Sequence, residues 1–143
     1  MSIPGPEVHT HLGLDRRLCG QPLAVEEGSA VVAFEALPEM AADERGLVHG
    51  GFVFGLADHA AMLAVNHPNV VLGSAEVRFL KPVTVGESLE AHAAVEETDG
   101  RKFRVRVEVL RAGGAKEMPE AVMAGTFLCF ILERHVLDAG GKP

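Results

Sequence analysis

The segment from Gly50 to Asn66 constrains the fold of this 143-residue chain more than any other. Its length and its content of Ala, Leu and Met favour a helix over a strand. Apart from Asp58 and His59 it is apolar all round, and a helix without a polar face is buried on most sides. We therefore predict a buried central helix over residues 49–66, which the dipeptide His67-Pro68 stops.

The rest of the sequence predicts strands that would cover this helix. A turn signal at 26–29 joins two strand-like segments into a hairpin, and residues 1–20 form an N-terminal arm or a short helix. Apolar and polar residues alternate in the segments that follow the helix, at 74–80, 89–96 and 103–109, before a strongly apolar strand at 121–132. Asp99-Gly100 is a two-residue hairpin signal, and residues 111–120 with Gly113-Gly114 read as a loop.

Half-apolar strands need a cover on one face, and the central helix is the one element large enough to supply it. We therefore predict an α+β fold in a single domain, residues 1–143, with a long central helix wrapped by an antiparallel β-sheet of about six strands. Thirteen Lys and Arg against 20 Asp and Glu give a net charge of −7, which is opposite to the balance typical of nucleic-acid binders. The two lone cysteines and the absence of a signal or membrane span make the cytoplasm the expected location, with no membrane partner and no metal.

Two features of the helix suggest chemistry. Asp58 stands among apolar residues, where an unpartnered carboxylate is costly, so it is either functional or bonded to a neighbour such as His59 or a backbone amide. His49, Gly50 and Gly51 stand at the helix N-terminus, whose free N–H groups suit a developing oxyanion, although a glycine-rich helix start is also common.

The spacing between these two features predicts a shared site. Gly50 and Asp58 are eight residues apart, or about 12 Å along the axis at 1.5 Å per residue, so one helix cannot bring both groups to one carbonyl carbon. Two helices packed antiparallel across a two-fold axis can, and Asp58 of one subunit would then face Gly50 of the other.

The run His-Gly-Gly at 49–51, with Asp58 nine residues after His49 and a strand ending Phe-Leu-Lys-Pro-Val at 79–83, resembles the hotdog-fold acyl-CoA thioesterases. The resemblance covers roughly 23–130 and is strongest to the phenylacetic-acid-degradation branch. It implies a homodimer, usually paired into a homotetramer, and a hydrolase that needs no cofactor beyond the coenzyme A of its substrate. It also implies that the Gly50 N–H polarises the thioester carbonyl, that Asp58 is the nucleophile or general base, and that His49 holds the helix start.

The same resemblance marks candidate substrate-binding positions. Asp43 occupies the place where many relatives carry Asn or Gln to position water or thioester. The Ser or Thr that some branches use in catalysis is not obvious here: Met62 stands one turn after Asp58, and Leu72 or Ser74 lies on the next strand. Gly51 lets a ligand approach the backbone closely. Phe54 and Met62 could line an acyl pocket, or they could be plain core.

Three functions remain open from the sequence. The first is thioester hydrolysis, and the second is a non-catalytic acyl-CoA binding or sensing module, motivated by Asp43 and the missing hydroxyl. A hotdog-type hydratase or dehydratase ranks last, because those pair a His with an acid in a different motif. The basic strand residues Lys102, Arg104 and Arg106 either hold coenzyme A phosphates or form a solvated face.

Overall fold

The computed structural model describes residues 7–112 and 118–139, and its elements follow the predicted order. The strands are β1 (Gln21–Glu26), β2 (Ser29–Glu35), β3 (Val70–Phe79), β4 (Ser88–Asp99), β5 (Lys102–Arg111) and β6 (Glu120–Ile131). The helices are α1 (Arg16–Cys19), α2 (Gly50–Val65) and α3 (Val136–Ala139), and a short 3-10 turn spans Pro38–Met40. The predicted loop glycines Gly113 and Gly114 lie outside the described residues.

The six strands form one antiparallel sheet in the order β1-β2-β4-β5-β6-β3. Helix α2 packs on one face of this sheet and contacts every strand. The core lies between them, and its largest fully buried side chains include Phe127, Met40, Leu56, Met62 and Leu63. This confirms the predicted α+β hotdog arrangement, in which the strands bury their apolar face against the helix.

Helix α2 ends slightly before the predicted stop. Asn66 adopts a left-handed conformation with φ 53°, and its N–H donates to the Met62 carbonyl at 2.7 Å, which closes the last turn two residues before Pro68. The Asn66 side chain also accepts from the His9 N–H at 2.8 Å and donates to the Glu7 carbonyl at 3.0 Å. The N-terminal arm is therefore tied to the C-terminal end of α2, and the short helix α1 follows it.

The β4–β5 hairpin differs by one residue from the sequence prediction. Asp99 pairs with Lys102 in the ladder, so the two-residue loop is Gly100-Arg101 rather than Asp99-Gly100. Gly100 takes the first loop position with φ 60°, a conformation that glycine adopts without a steric cost.

Strand β3 lies at the edge of the sheet, beside β6 alone. Its predicted apolar face consists of Ala75, Val77 and Phe79, yet only Val77 is half-buried, and Phe79 is 56% exposed. An edge strand has a neighbour on one side only, so this face stays open next to the start of α2.

None of the helices in the described part of the chain is long and apolar enough to cross a membrane. The cytoplasmic location stays a prediction.

Candidate active site

His49 fixes the start of helix α2. It is the N-cap residue, with extended backbone angles (φ −64°, ψ 131°), and its Nδ1 accepts a hydrogen bond from the Gly51 N–H at 2.9 Å. Its own N–H donates to the carbonyl of the fully buried Met40 at 3.0 Å. A Cβ on Gly51 would lie 2.9 Å from His49 Nδ1, so this cap geometry requires glycine at position 51.

This cap does not use the N–H of Gly50. Gly50 is the first residue of α2, and no acceptor in residues 7–112 or 118–139 takes a hydrogen bond from its N–H. A donor at this position adds to the positive end of the helix dipole. It can therefore stabilise negative charge on an oxygen brought against it.

A cleft of about 260 Å³ opens beside Gly50. Its walls come from the start of α2 and the segment that ends β3, and they are almost entirely apolar: Leu47, Val48, Gly50, Val53, Phe79, Leu80, Lys81, Pro82, Val83 and Val122. The Phe79 ring packs on Gly50, with its nearest carbon 3.4 Å from the position that a Cβ on Gly50 would occupy. The free donor thus stands at the edge of an apolar cleft.

Asp58 carries the one buried side-chain oxygen or nitrogen without a hydrogen-bond partner in the described part of the chain. It lies half-buried two turns along α2, and its Oδ1 is shielded from solvent and accepts no hydrogen bond. Burial raises the pKa of Asp58 from 3.8 to about 6, because desolvation penalises the charged form. A carboxylate with this pKa can accept a proton near neutral pH.

His59 does not serve as the partner of Asp58. Its buried ring points the other way, and its Nδ1 donates to the Cys19 carbonyl at 3.0 Å. Burial lowers the pKa of His59, which favours the neutral ring. Adjacent helix residues diverge by about 100°, and this angle separates the two side chains. The predicted alternative of an Asp58–His59 pair is therefore not what the structure shows.

The carboxylate of Asp58 has two thiols as electrostatic neighbours instead, since burial and, as a smaller effect, the Asp58 charge raise the pKa of both Cys19 and Cys129. The pKa of Cys129 on β6 rises to about 12, first because of burial and second because of the Asp58 charge. This thiol is fully buried and stays protonated, so it is no nucleophile at neutral pH.

Gly50 and Asp58 do not meet within one chain. They occupy the same continuous helix, eight residues or about 12 Å apart along its axis. Asp58 is also absent from the lining of the Gly50 cleft. The two functional groups are thus both present and separated, as the sequence spacing predicts.

A protein-family model described as the thioesterase superfamily matches residues 45–118, which is just over half of the chain and includes both Gly50 and Asp58. The chain belongs to the thioesterase superfamily.

Two solved structures resemble this superfamily member over most of its length. An uncharacterized protein, PH1136, from Pyrococcus horikoshii is 53% identical, with a TM-score of 0.87 over 95% of this chain and 100% of the other. A mutant of the phenylacetic acid degradation protein PaaI from Thermus thermophilus is 33% identical, with a TM-score of 0.71 over 80% of this chain and 95% of the other. These likenesses support the superfamily and the fold.

The first curated relatives that this chain matches are longer proteins. Methylthioribose-1-phosphate isomerase from Aquifex aeolicus is 51% identical over 105 residues, which are 73% of this chain and 23% of the isomerase. The chain spans less than two thirds of the length of each of the first curated relatives it matches. The activity of such a longer protein therefore does not transfer to this chain.

The Asp43 side chain forms hydrogen bonds within its own loop. Its side-chain Oδ1 accepts from the N–H groups of Arg45 and Leu47, at 2.9 and 3.2 Å, and so closes the loop that leads to His49. The carboxylate is exposed, and its contacts are those of a loop-forming residue. A contact between Asp43 and a substrate stays a prediction.

Three other predicted substrate-binding residues are spread over different environments. Met62 is fully buried in the core, and the Phe54 ring packs on Phe127 with centroids 5.5 Å apart, so this packing favours the core interpretation of both. Ser74 lies exposed on the edge strand β3, opposite Leu128 of β6. The structure brings none of the three to the Gly50 cleft.

A larger cleft lies away from Gly50 and Asp58, and the basic residues of β5 are exposed. The larger cleft, of about 450 Å³, is lined by residues of α1, β2 and β4 and includes neither Gly50 nor Asp58. Arg104 makes an exposed ion pair with Glu97 at 3.6 Å, and Lys102 and Arg106 are exposed, which favours a solvated face for this strand. Within the described ranges no three His, Cys, Asp or Glu side chains converge as a metal site.

Sequence reasoning missed the role of the segment after β3 as a wall of the cleft. Residues 79–83 are part of the family motif, and the structure places them against the start of α2. The signal in the sequence was two adjacent apolar residues, Phe79-Leu80, at the end of a strand that otherwise alternates.

Proposed function

We propose that this protein is an acyl-CoA thioesterase that hydrolyses its substrate to a free acid and coenzyme A. The observation that carries the proposal is Asp58, an unpaired carboxylate with a pKa of about 6, on the helix that begins with an unpaired N–H at Gly50. Leaving a buried carboxylate without a partner costs stability, and such groups concentrate at functional sites. Membership of the thioesterase superfamily supports the same chemistry.

The Gly50 N–H would bind the thioester carbonyl oxygen and stabilise the negative charge that develops on it. Asp58 would take a proton from water, the water oxygen would bond to the carbonyl carbon, and the C–S bond would then break. The leaving thiolate would receive the proton held by Asp58, which leaves a carboxylic acid and a free thiol. In the alternative route the Asp58 carboxylate attacks the carbonyl carbon itself, the C–S bond breaks and a thiolate leaves, which forms a mixed anhydride. Water then hydrolyses the anhydride, restores the Asp58 carboxylate and supplies the proton that the thiolate takes up. His49 would keep both N–H groups of the helix start in place.

Both routes require a second copy of the chain. Because about 12 Å separates Gly50 from Asp58 along one helix, the two groups would converge only when two α2 helices pack antiparallel across a two-fold axis. The open edge of β3 and the exposed side chains of Leu47, Phe79 and Leu80 around Gly50 support an interface at this place. Two such dimers would pair into a homotetramer.

The acyl group would be small and apolar. The likeness to the phenylacetic acid degradation protein PaaI, at 33% identity, supports an aryl-acetyl group as the first substrate to test. No cofactor would be needed, because coenzyme A enters as part of the substrate.

A non-catalytic acyl-CoA binding protein is the second candidate, and Asp43 favours it. This side chain uses its Oδ1 to bind the Arg45 and Leu47 N–H groups, so that atom does not also hold an attacking water. The fold and the cleft would then bind the thioester without cleaving it.

The experiment that separates the two candidates compares the wild type with Asp58→Asn on a panel of acyl-CoA thioesters, following release of free thiol. The matched control is Asp99→Asn, which changes an exposed Asp at the β4–β5 turn. We expect turnover in the wild type and control and a loss of at least about 10²-fold in Asp58→Asn. Full activity in Asp58→Asn would refute the mechanism. If no protein turns over but acyl-CoA raises the melting temperature, the binding protein is the correct function.

A further inference from the structure

The ring of Phe79 lies beside Gly50, whose N–H has no acceptor among the described residues. Phe79 is the last residue of β3 and is 56% exposed, yet its ring carbons lie 3.4, 3.7 and 3.8 Å from the position of a Cβ on Gly50. A ligand that enters the cleft beside Gly50 therefore lies next to the Phe79 ring.

A thioester whose carbonyl oxygen lies at Gly50 has two substituents, the acyl group and the sulfur arm of coenzyme A, and the cleft beside Gly50 suits one of them. The lining side chains are apolar except for Lys81, which is exposed. The sulfur arm carries amide groups, and burying an amide without a hydrogen-bond partner costs roughly 2–7 kcal/mol. An apolar acyl group incurs no such cost, so it is the substituent that fits this lining.

The Gly50 cleft has a volume of about 260 Å³ and is open to solvent, so the side chains of its wall decide which acyl groups it contacts. Phe79 is the largest side chain in the lining and the one that faces Gly50.

We propose that Phe79 determines the acyl specificity of this protein, as the largest side chain in the wall of the Gly50 cleft and the one that faces Gly50. The inference rests on the proposed function, because it places the thioester carbonyl at the Gly50 N–H. A smaller side chain at position 79 extends the cleft along β3 and admits longer acyl groups. A site that discriminates by apolar contact changes its preference by about 10-fold or more for each methylene group.

The test measures kcat/KM for straight-chain acyl-CoA thioesters from two to sixteen carbons, and for one aryl-acetyl thioester, in the wild type, Phe79→Ala and Phe79→Leu. The control is Leu23→Ala, which removes an apolar side chain of similar exposure, 51%, from the other edge strand β1. We expect the optimum of Phe79→Ala to move by at least two carbons toward longer chains, with about 10-fold or more gained on those substrates relative to short ones. The optimum of Leu23→Ala should match the wild type.

Two results would overturn the proposal, and one would support it if Phe79→Ala cannot be studied. A uniform loss of kcat/KM over all acyl groups in Phe79→Ala, without a change of preference, would mean that the ring contacts the coenzyme arm or the partner subunit, and it would overturn the proposal. If Phe79→Ala does not fold, Phe79→Leu decides: a smaller shift supports the proposal and an unchanged optimum overturns it. Light scattering on each variant shows whether the oligomer is intact.

A second readout separates this inference from the proposed function. Acyl-CoA binding is titrated by calorimetry in the Asp58→Asn background, with and without Phe79→Ala, over the same chain lengths. If the wild type hydrolyses nothing, thioester hydrolysis fails, but a shift in the chain-length dependence of binding still supports Phe79 as the specificity residue. If neither background binds any acyl-CoA, both fail.

Discussion

His49 Nδ1 accepts a hydrogen bond from the N–H of Gly51 across 2.9 Å. The cap uses the N–H of Gly51, the second residue of helix α2. The N–H of Gly50, the first residue, stays available to a ligand. An acceptor Nδ1 requires the neutral imidazole with its proton on Nε2. The histidine is thus a positioning residue, and its removal changes both the helix and the proposed site.

His49→Ala should lower the stability by about 1 kcal/mol, the usual value of an N-cap, and should also lower kcat. His49→Asn should recover most of the stability, because an Asn side chain caps the same N–H. The measurements are urea unfolding and thiol-release kinetics on both variants. Equal kcat in His49→Ala and the wild type would show that the cap does not position the Gly50 donor.

Gly50→Pro removes the proposed oxyanion donor without breaking the helix. Proline is well tolerated at the first helical position, and His49 already has the extended backbone that a residue before proline needs. We expect a folded protein with a rate lower by about 10²–10³-fold. The control is Gly50→Ala, which keeps the N–H and brings a Cβ to 3.4 Å from the Phe79 ring. If both variants lose the same activity, crowding and not the lost donor is responsible.

Mixing two inactive variants tests whether the site is shared between subunits. In a heterodimer of Gly50→Pro and Asp58→Asn, one of the two sites combines an intact Gly50 with an intact Asp58. Co-expression of the two variants, with purification by two different tags, supplies the heterodimer. It should show about half of the wild-type activity, because one of its two sites is intact. No recovery in a verified heterodimer would place Gly50 and Asp58 in the same site of one chain.

Asp58→Asn should stabilise the protein while it inactivates it. The folded pKa of about 6 exceeds the ordinary 3.8, so the unfolded chain loses its proton first. The free energy of unfolding therefore falls as pH rises from about 4 to about 6, by up to about 3 kcal/mol, and stays at the lower value above that range. Asn carries no charge and avoids this loss. Thermal unfolding at pH 4 and pH 7.5 measures it, and a variant less stable than the wild type at pH 7.5 would contradict the assignment.

The same pKa should appear in the rate. Only the ionised carboxylate can act as base or nucleophile, so kcat/KM should rise with pH and level off above an apparent pKa of about 6. Initial rates between pH 4.5 and 8 on one acyl-CoA measure this profile. Asp99→Asn should show the same curve, whereas a profile that is flat across this range in the wild type would exclude Asp58 as the titrating group.

Much of the fold is predictable from local patterns. The apolar segment from Gly50 to Asn66 predicts α2, and period-two alternation predicts the strands, because burial on one face leaves its period in the sequence. The same patterns miss details that depend on backbone conformation. Asn66 ends α2 in a left-handed conformation before Pro68, and the β4–β5 loop is Gly100-Arg101.

The candidate site is also only partly predictable from the sequence. Sequence alone singles out Asp58, since a carboxylate within an apolar helix is unusual, and the family resemblance adds His49 and Gly50 at the helix start. It does not decide what surrounds them. Asp43 binds its own loop, Met62 and Phe54 pack in the core, and His59 bonds to the Cys19 carbonyl.

The sequence by itself determined the central helix, the antiparallel sheet and the residues able to carry the chemistry, because each follows from periodicity or residue type within a short stretch of chain. Only the tertiary structure decided that Asp58 Oδ1 has no partner among residues 7–112 and 118–139, that β3 is an edge strand and that Phe79 packs on Gly50. Each of these depends on segments that are far apart in the sequence. The pKa of Asp58 depends on burial, and burial comes from the packed molecule rather than from the residues next to Asp58 in the chain.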